Sequence, residues 1–253
     1  MFKRHELKYL LDPVQKERIL DALRAHMEPD RYGRTTIRNI YYDTDTFRLV
    51  RRSIERPVYK EKLRLRSYGP ASPESGVFVE LKKKYDGVVY KRRLVMPERE
   101  AVRWLAGEDA HVPDTQIARE IAAFLAFYRT LRPVCLLSCE REAYACPDGS
   151  DFRVTFDENI LSRPTELDLT KEAWRTPLLE PDRTLMEVKT SGAVPLWMVH
   201  AMTEAKAARV SFSKYGEAYR TQLFPETLNR IRVIRPEEPQ PLSRSEKGVC
   251  IYA

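Results

Sequence analysis

The 253-residue chain has only nine glycines, four cysteines and four histidines. No glycine-rich phosphate loop is present, which makes P-loop kinases poor candidates. His5, His26, His111 and His200 have neither triad nor metal-ligand spacing, and no Ser-His-Asp arrangement accompanies them. Cys135, Cys139, Cys146 and Cys250 lack zinc-ligand spacing, and the first two lie in a strand-like run, so they read as buried free thiols. The longest apolar run, Ile121 to Tyr128, is far too short to cross a bilayer. Met1 leads almost directly into a charged strand without an apolar signal region, so the expectation is a soluble, cytoplasmic protein. Aromatic residues are ordinary at 10%. No basic-aromatic segment resembles the base-stacking strands of a single-strand RNA binder.

What the chain does have is positive charge in a repeated pattern. Net charge is +7 with an isoelectric point near 9.2. That favours an anionic partner without choosing among nucleic acid, polyphosphate, nucleotide and anionic lipid. In Lys62-Leu63-Arg64-Leu65-Arg66, a β-strand would put three cations on one face and two leucines on the other. The pattern recurs with Glu6 and Lys8, Glu80 and Lys82, Lys91 and Arg93, Arg153 to Asp157, and Glu187 and Lys189. An ordinary sandwich turns mixed polar faces to solvent. Here the polar faces are mostly Arg and Lys, with carboxylates two residues from cations. Cations that alternate with apolar residues and come with carboxylates, instead of forming an aromatic-rich exposed stripe, argue against a nucleic-acid partner. It suits a chain of phosphates with divalent metal, because Arg fits phosphate oxygens bidentately and carboxylates hold Mg²⁺ or Mn²⁺.

In chain order, Asp12-Pro13-Val14-Gln15 starts a helix with Ile19, Leu20, Leu23 and Met27 on one side. Residues 34–42 read as a strand with Arg38 and Tyr42 inward, and 47–56 as a basic helix or turn. Residues 58–96 form a three-strand meander with an Asp86-Gly87 hairpin turn. Helices follow near Pro97 and Thr115, then a hairpin over 133–157, a loop-rich stretch over 161–181, a strand over 185–190, and helices near Pro195 and Ser213. About eight strands interrupted by helices predict an α+β protein with a closed antiparallel eight-stranded barrel, polar face inward and apolar face beneath the helices. No repeat or second domain is visible. One domain over 1–235 and a disordered polar tail over 236–253 are expected.

By this alternation Lys8, Arg38, Lys62, Arg64, Arg66, Lys82, Lys91, Arg93, Arg141, Arg153 and Lys189 face inward. Glu6, Glu80, Asp157 and Glu187 oppose them. The excess of cations fits a polyanion, and the minority of acids fits a metal site or internal charge balance.

The ordered pieces carry a resemblance. Glu6-Leu7-Lys8-Tyr9, Tyr41-Tyr42-Asp43-Thr44, Lys62-Leu63-Arg64-Leu65-Arg66, Val79-Glu80-Leu81-Lys82, Lys91-Arg92-Arg93, Glu140-Arg141-Glu142-Ala143-Tyr144, Arg153-Val154-Thr155-Phe156-Asp157, Glu187-Val188-Lys189 and Ser213-Lys214-Tyr215 together resemble the VTC domain. That domain is the polyphosphate polymerase branch of the CYTH-like triphosphate tunnel metalloenzymes. The resemblance implies a tunnel that binds ATP with Mn²⁺ or Mg²⁺ and extends polyphosphate. It implies that Lys8, Arg64, Arg66, Lys82, Lys91, Arg141 and Lys189 hold phosphates, that Glu187 binds metal, and that Lys214 lies near the transferring phosphate. Lys214, Arg64, Arg66, Lys82 and Arg141 are thereby the candidate catalytic residues. In the first strand Arg4 stands where the wider family's Glu-x-Glu-x-Lys signature has its first glutamate. Glu6 is then a second candidate metal ligand, and a triphosphatase or a non-catalytic polyphosphate carrier stays open beside the polymerase. Coupling to translocation of the polymer would call for a membrane-protein partner.

Overall fold

The computed structural model describes residues 5–55, 57–86, 88–172 and 176–225. Arg4, Gly87, Cys250 and the polar tail lie outside them. The elements in order are β1 (His5–Leu11), α1 (Pro13–Arg24), β2 (Glu28–Pro29), β3 (Thr35–Asp43), α2 (Arg48–Ile54), β4 (Tyr59–Tyr68), β5 (Gly76–Tyr85), β6 (Val88–Pro97), α3 (Glu98–Leu105) and α4 (Gln116–Tyr128). They continue with β7 (Arg132–Ala145), β8 (Arg153–Arg163), β9 (Thr176–Pro177), β10 (Thr184–Thr190), α5 (Leu196–Glu204), α6 (Lys214–Ala218) and a π-helical turn over Tyr219–Leu223. Helix α1 starts as its sequence predicts: Asp12 accepts from the Gln15 amide, Gln15 accepts from the Asp12 amide, and Pro13 fills the first position.

Eight long strands run antiparallel in the order β1-β10-β8-β7-β3-β4-β5-β6, and the two-residue strands β2 and β9 pair at the margins with β7 and β8. The expected closed eight-stranded barrel is therefore corrected. Among the described residues the sheet has ten strands and stays open between β1 and β6. The physical reason lies on β1, whose free edge is already occupied. Val210 donates its amide to the Lys8 carbonyl at 2.8 Å, and Tyr9 bridges Arg209. The segment entering α6 thus takes hydrogen bonds that β6 would need.

The sheet nevertheless curls so that its edges face each other. Glu6 on β1 lies 3.7 Å from Lys82 on β5. In a flat sheet six strand spacings would separate those strands by roughly 29 Å. The apolar side of the alternation faces outward beneath helices. Leu63, Leu65, Val79 and Leu81 pack with Ala101, Leu105, Ile121 and Phe124 of α3 and α4. Tyr9, Leu11, Val154, Phe156 and Val188 pack with Ile19 and Leu23 of α1 and Met198 and Met202 of α5. On the inner face a third cluster joins Ile37, Tyr41, Cys135, Leu137, Cys139 and Leu185 to Tyr215, Ala218, Tyr219 and Leu223. The C-terminal described helix therefore fills part of the concave side. Cys135, Cys139 and Cys146 are free thiols, the first two buried. No helix among the described residues is long and apolar enough to cross a membrane.

Candidate phosphate-binding site

Register puts the charged side chains on one face. Lys62 pairs with Lys82 and Lys82 with Lys91; Arg64 pairs with Glu80 and Glu80 with Arg93. Directly opposite residues of antiparallel strands point the same way, so these six share the concave side. Across the sheet, Glu6 pairs with Lys189, Lys8 with Glu187, and Arg141 with Asp157, again on that side. Lys214, at the start of α6, reaches the same group.

Two acid centres organise the cations. Glu80 is only 1% exposed. It accepts Arg64 Nε at 2.8 Å and Arg93 Nε at 2.7 Å, with Lys91 Nζ at 2.7 Å and Arg66 Nε at 3.9 Å. Burial would raise its pKa, but Arg64, Arg66 and Lys91 outweigh burial and hold it far below the usual carboxylate range. The second centre joins Asp157 and Glu187. Asp157 takes both Nε and Nη2 of Arg141 at 2.5 Å and also pairs with Lys214. Glu187 lies 2.9 Å from Lys189, 3.4 Å from Lys214, and 3.5 Å from both Lys8 and Arg141. Burial again pushes both acids upward, and these cations more than reverse it.

The cations show the converse strain. Burial, with Lys82 and Lys8 nearby, lowers the Lys62 pKa from 10.5 to about 7. Burial lowers that of Lys91 to about 8, with Glu80 opposing. Lys189 is lowered as well, burial outweighing its pairing with Glu187. Ten cations (Lys8, Lys62, Arg64, Arg66, Lys82, Lys91, Arg93, Arg141, Lys189 and Lys214) thus gather around four acids.

Two expected lining residues do not join them. Arg38 faces the opposite side: it pairs with Ser67 and Ser138, in phase with Ile40 and Tyr42 against the outer core. Its guanidinium donates to the carbonyls of Leu169 and Lys171 and pairs with Glu172. Arg153 lies on the charged face at its margin and turns to Asp30, at 3.0 Å. Four polar groups that sequence reasoning assigned no role instead steady the arginines and lysines. Asn39 accepts from Arg66 Nε at 2.8 Å, and the Tyr41 hydroxyl accepts from Arg64 at 3.2 Å. Ser213 accepts from Lys62 at 3.0 Å while capping α6, and Tyr215 stacks on Tyr41 with its hydroxyl on Asp43. The signal was present in β3, where Asn39 and Tyr41 alternate in the same phase; Arg38 drew attention to the wrong one.

Among the described residues no three His, Cys, Asp or Glu side chains gather to hold a metal. Lys8 links Glu6 and Glu187, lying 3.2 Å from the first carboxylate and 3.5 Å from the second. Burial would raise the Glu6 pKa, yet Lys82 and Lys8 hold it at about 2, so both acids are ionised oxygen donors. A pair of carboxylates is the donor set Mg²⁺ uses when substrate phosphates supply its remaining ligands. A cavity of about 560 Å³ lined by His26, Cys146, Phe152, Thr190 and Trp197 lies elsewhere, and none of the ten cations lines it.

An antiparallel sheet curled around clustered cations, with helices packed outside, defines an α+β protein with a basic interior face. The profile of the VTC domain matches residues 3–223, and the chain belongs to that family. It is 24% identical over 224 residues to Vacuolar transporter chaperone complex subunit 4 of Trypanosoma brucei brucei, with 73% of this chain aligned. The match spans 28% of that relative's length. Among solved structures, a candidate adenylate cyclase from Bacillus halodurans shares the fold at TM-score 0.53 and 16% identity, covering 88% of this chain and all of that one. A candidate adenylyl cyclase from Hippeastrum, with a dominant triphosphatase activity, does so at TM-score 0.50 and 14% identity, over 87% and 95% of the two chains.

Proposed function

We propose that this chain is a metal-dependent polyphosphate polymerase that transfers the terminal phosphate of ATP to the end of a polyphosphate chain. The observation carrying this reading is the gathering of ten cations around four acids on one concave face. Self-repulsion among them is relieved by a ligand with many negative charges spaced along a chain. Membership of the VTC family supports the same substrate class.

Phosphoryl transfer needs alignment and charge compensation more than covalent help. Arg64, Arg66, Lys91 and Arg93 form one phosphate clamp, and Lys8, Arg141, Lys189 and Lys214 form another, with Lys62 and Lys82 between. The acceptor's terminal phosphate oxygen attacks the γ-phosphorus, the bond to the β-bridging oxygen breaks, and ADP leaves. Lys214, already bonded to Asp157 and Glu187, compensates charge on the transferring group. Glu187 and Glu6 would hold Mn²⁺ or Mg²⁺, which when bound adds positive charge at the same phosphates. Water in place of the polyphosphate acceptor would make the reaction a triphosphatase. The Glu6-x-Lys8 pair standing beside Glu187 keeps that as the second reading. The name of the Trypanosoma relative assigns that protein to a complex; by extension this chain would work beside other subunits, including a membrane protein that carries the product away.

Purified protein incubated with ATP and Mn²⁺ should yield long-chain polyphosphate on a gel. Glu187→Gln should lose turnover while keeping its circular dichroism spectrum. Free phosphate as the sole product would establish the hydrolase instead. Full turnover by Glu187→Gln at limiting Mn²⁺ would remove the metal role, because a neutral amide is a far weaker ligand.

A further inference from the structure

One end of the basic face is apolar, and exposed. Moving outward along β4, the concave side reads Lys62, Arg64, Arg66 and then Tyr68. In the next row out from Arg64, Glu80 and Arg93, Arg66 pairs with Phe78 and Phe78 with Val95. Tyr68 is 47% and Val95 53% exposed, although both sit on the face that carries the charged rows of β4, β5 and β6. Tyr68 meets Phe78 edge to face, with centroids 5.6 Å apart at 84°. The Arg93 guanidinium lies over the Phe78 ring at 4.5 Å. Residues two apart on a strand are separated by about 7 Å, so this ledge begins in the row of Arg66 itself and one row out from the Glu80 cluster.

An inorganic phosphate chain has no use for such a surface. Three large apolar side chains beside arginines suit a flat π-system attached to phosphates, since bases stack on aromatic rings and guanidinium planes. We propose that Tyr68, Phe78 and Val95 form the seat of the nucleoside of the incoming triphosphate. The base lies on the aromatic ledge and the phosphates run inward over Arg66 and Arg93 towards Arg64, Lys91 and Lys62. The inference rests on the triphosphate reading above and adds a direction to it: the nucleoside stays at the Tyr68 end and the reacting phosphate points away from it. No side chain of the ledge offers an amide or carboxylate to read a base edge. The seat therefore separates nucleotides from inorganic phosphate chains without choosing between purines.

The test compares ATP with tripolyphosphate by calorimetry, in EDTA so that no turnover intervenes, on wild type, Tyr68→Ala, Tyr68→Phe and Arg64→Ala. Tyr68→Ala should weaken ATP about tenfold, the loss of one stacking partner, and leave tripolyphosphate within about twofold. Tyr68→Phe, which keeps the ring and loses only the hydroxyl that faces Arg66 and Arg93, should hold both ligands within about twofold of wild type. Arg64→Ala should weaken both ligands, and GTP should follow ATP throughout. Equal losses of ATP and tripolyphosphate in Tyr68→Ala would overturn the seat and make Tyr68 a support for Arg66 and Arg93. No loss of either would overturn it too, leaving the ledge to some apolar partner segment, while the triphosphate reading survived. Failure of the wild type to bind either ligand, in EDTA and again with Mn²⁺ and a non-hydrolysable ATP analogue, would instead sink the triphosphate reading, and the seat with it.

Discussion

Glu80 has given up nearly all contact with water, and stripping a lone carboxylate of solvent costs several kcal/mol. Three neighbouring cations within 3 Å outweigh that cost, and the acid stays ionised. The lysines around it have the opposite problem, which sets a pH dependence. Lys62 falls from 10.5 to about 7 through burial and the nearby Lys82, Lys8, Lys60 and Arg64, and Lys91 falls to about 8. Between each folded value and 10.5 the unfolded chain binds more protons than the folded one, so these lysines make the ligand-free protein more stable as pH rises over that window. A bound polyphosphate should restore the protons. Binding of long-chain polyphosphate, whose interior phosphates do not titrate in this range, should therefore take up protons near pH 8, and its affinity should fall from pH 7 to pH 9. Calorimetry in two buffers of different ionisation enthalpy measures the uptake directly. Identical heats in both buffers would mean that Lys62 and Lys91 are already charged in the empty protein.

At the scale of elements, most strands were legible because a two-residue period of cation and aliphatic residue is hard to mistake. Strand β3 was not, since every residue in Ile37–Asp43 is buried and both faces are packed. A strand covered on both sides loses the contrast from which phase is read, and the phase that put Arg38 inward was the wrong one. Asp43 at its end explains why the Tyr41-Tyr42-Asp43-Thr44 segment matters. Its buried carboxylate accepts the amides of Thr44, Leu49 and Val50 and the Tyr215 hydroxyl, tying β3 to the start of α2 and to α6. No local pattern announces a bond between positions so far apart in the chain. Asp43→Ala would strand those donors, and we expect a loss of about 2–4 kcal/mol in denaturant unfolding. Triphosphate affinity should drop as well, because α6 carries Lys214 and its cap Ser213 holds Lys62. Wild-type stability in Asp43→Ala would show that α2 and α6 are held by apolar packing alone.

Over the whole molecule, charge, curvature and seam act as one device. The open seam between β1 and β6 is bridged by side chains and by the segment before α6. Glu6 meets Lys82, Lys8 reaches the Phe212 carbonyl, and Lys62 reaches Ser213. The sequence pattern made closure by backbone pairing the natural expectation, because nothing in residues 209–213 reads as a strand that would cap an edge. A seam held by ion pairs should respond to what fills the interior. If the ten cations enclose one space, a single polyanion engages both clamps and stabilises the folded state by RT ln(1 + [L]/Kd), about 2.7 kcal/mol at 100-fold excess over Kd. Tripolyphosphate should therefore raise the melting temperature by several degrees, and orthophosphate at equal charge concentration should do far less, since it cannot span the clamps. Cations scattered over a solvated surface would treat the two anions alike, and 0.15 M salt, with its ~8 Å screening length, would erase the effect. Equal shifts from the two anions, or a tripolyphosphate shift that disappears in moderate salt, would mean that the two acid centres and their cations do not share one binding space.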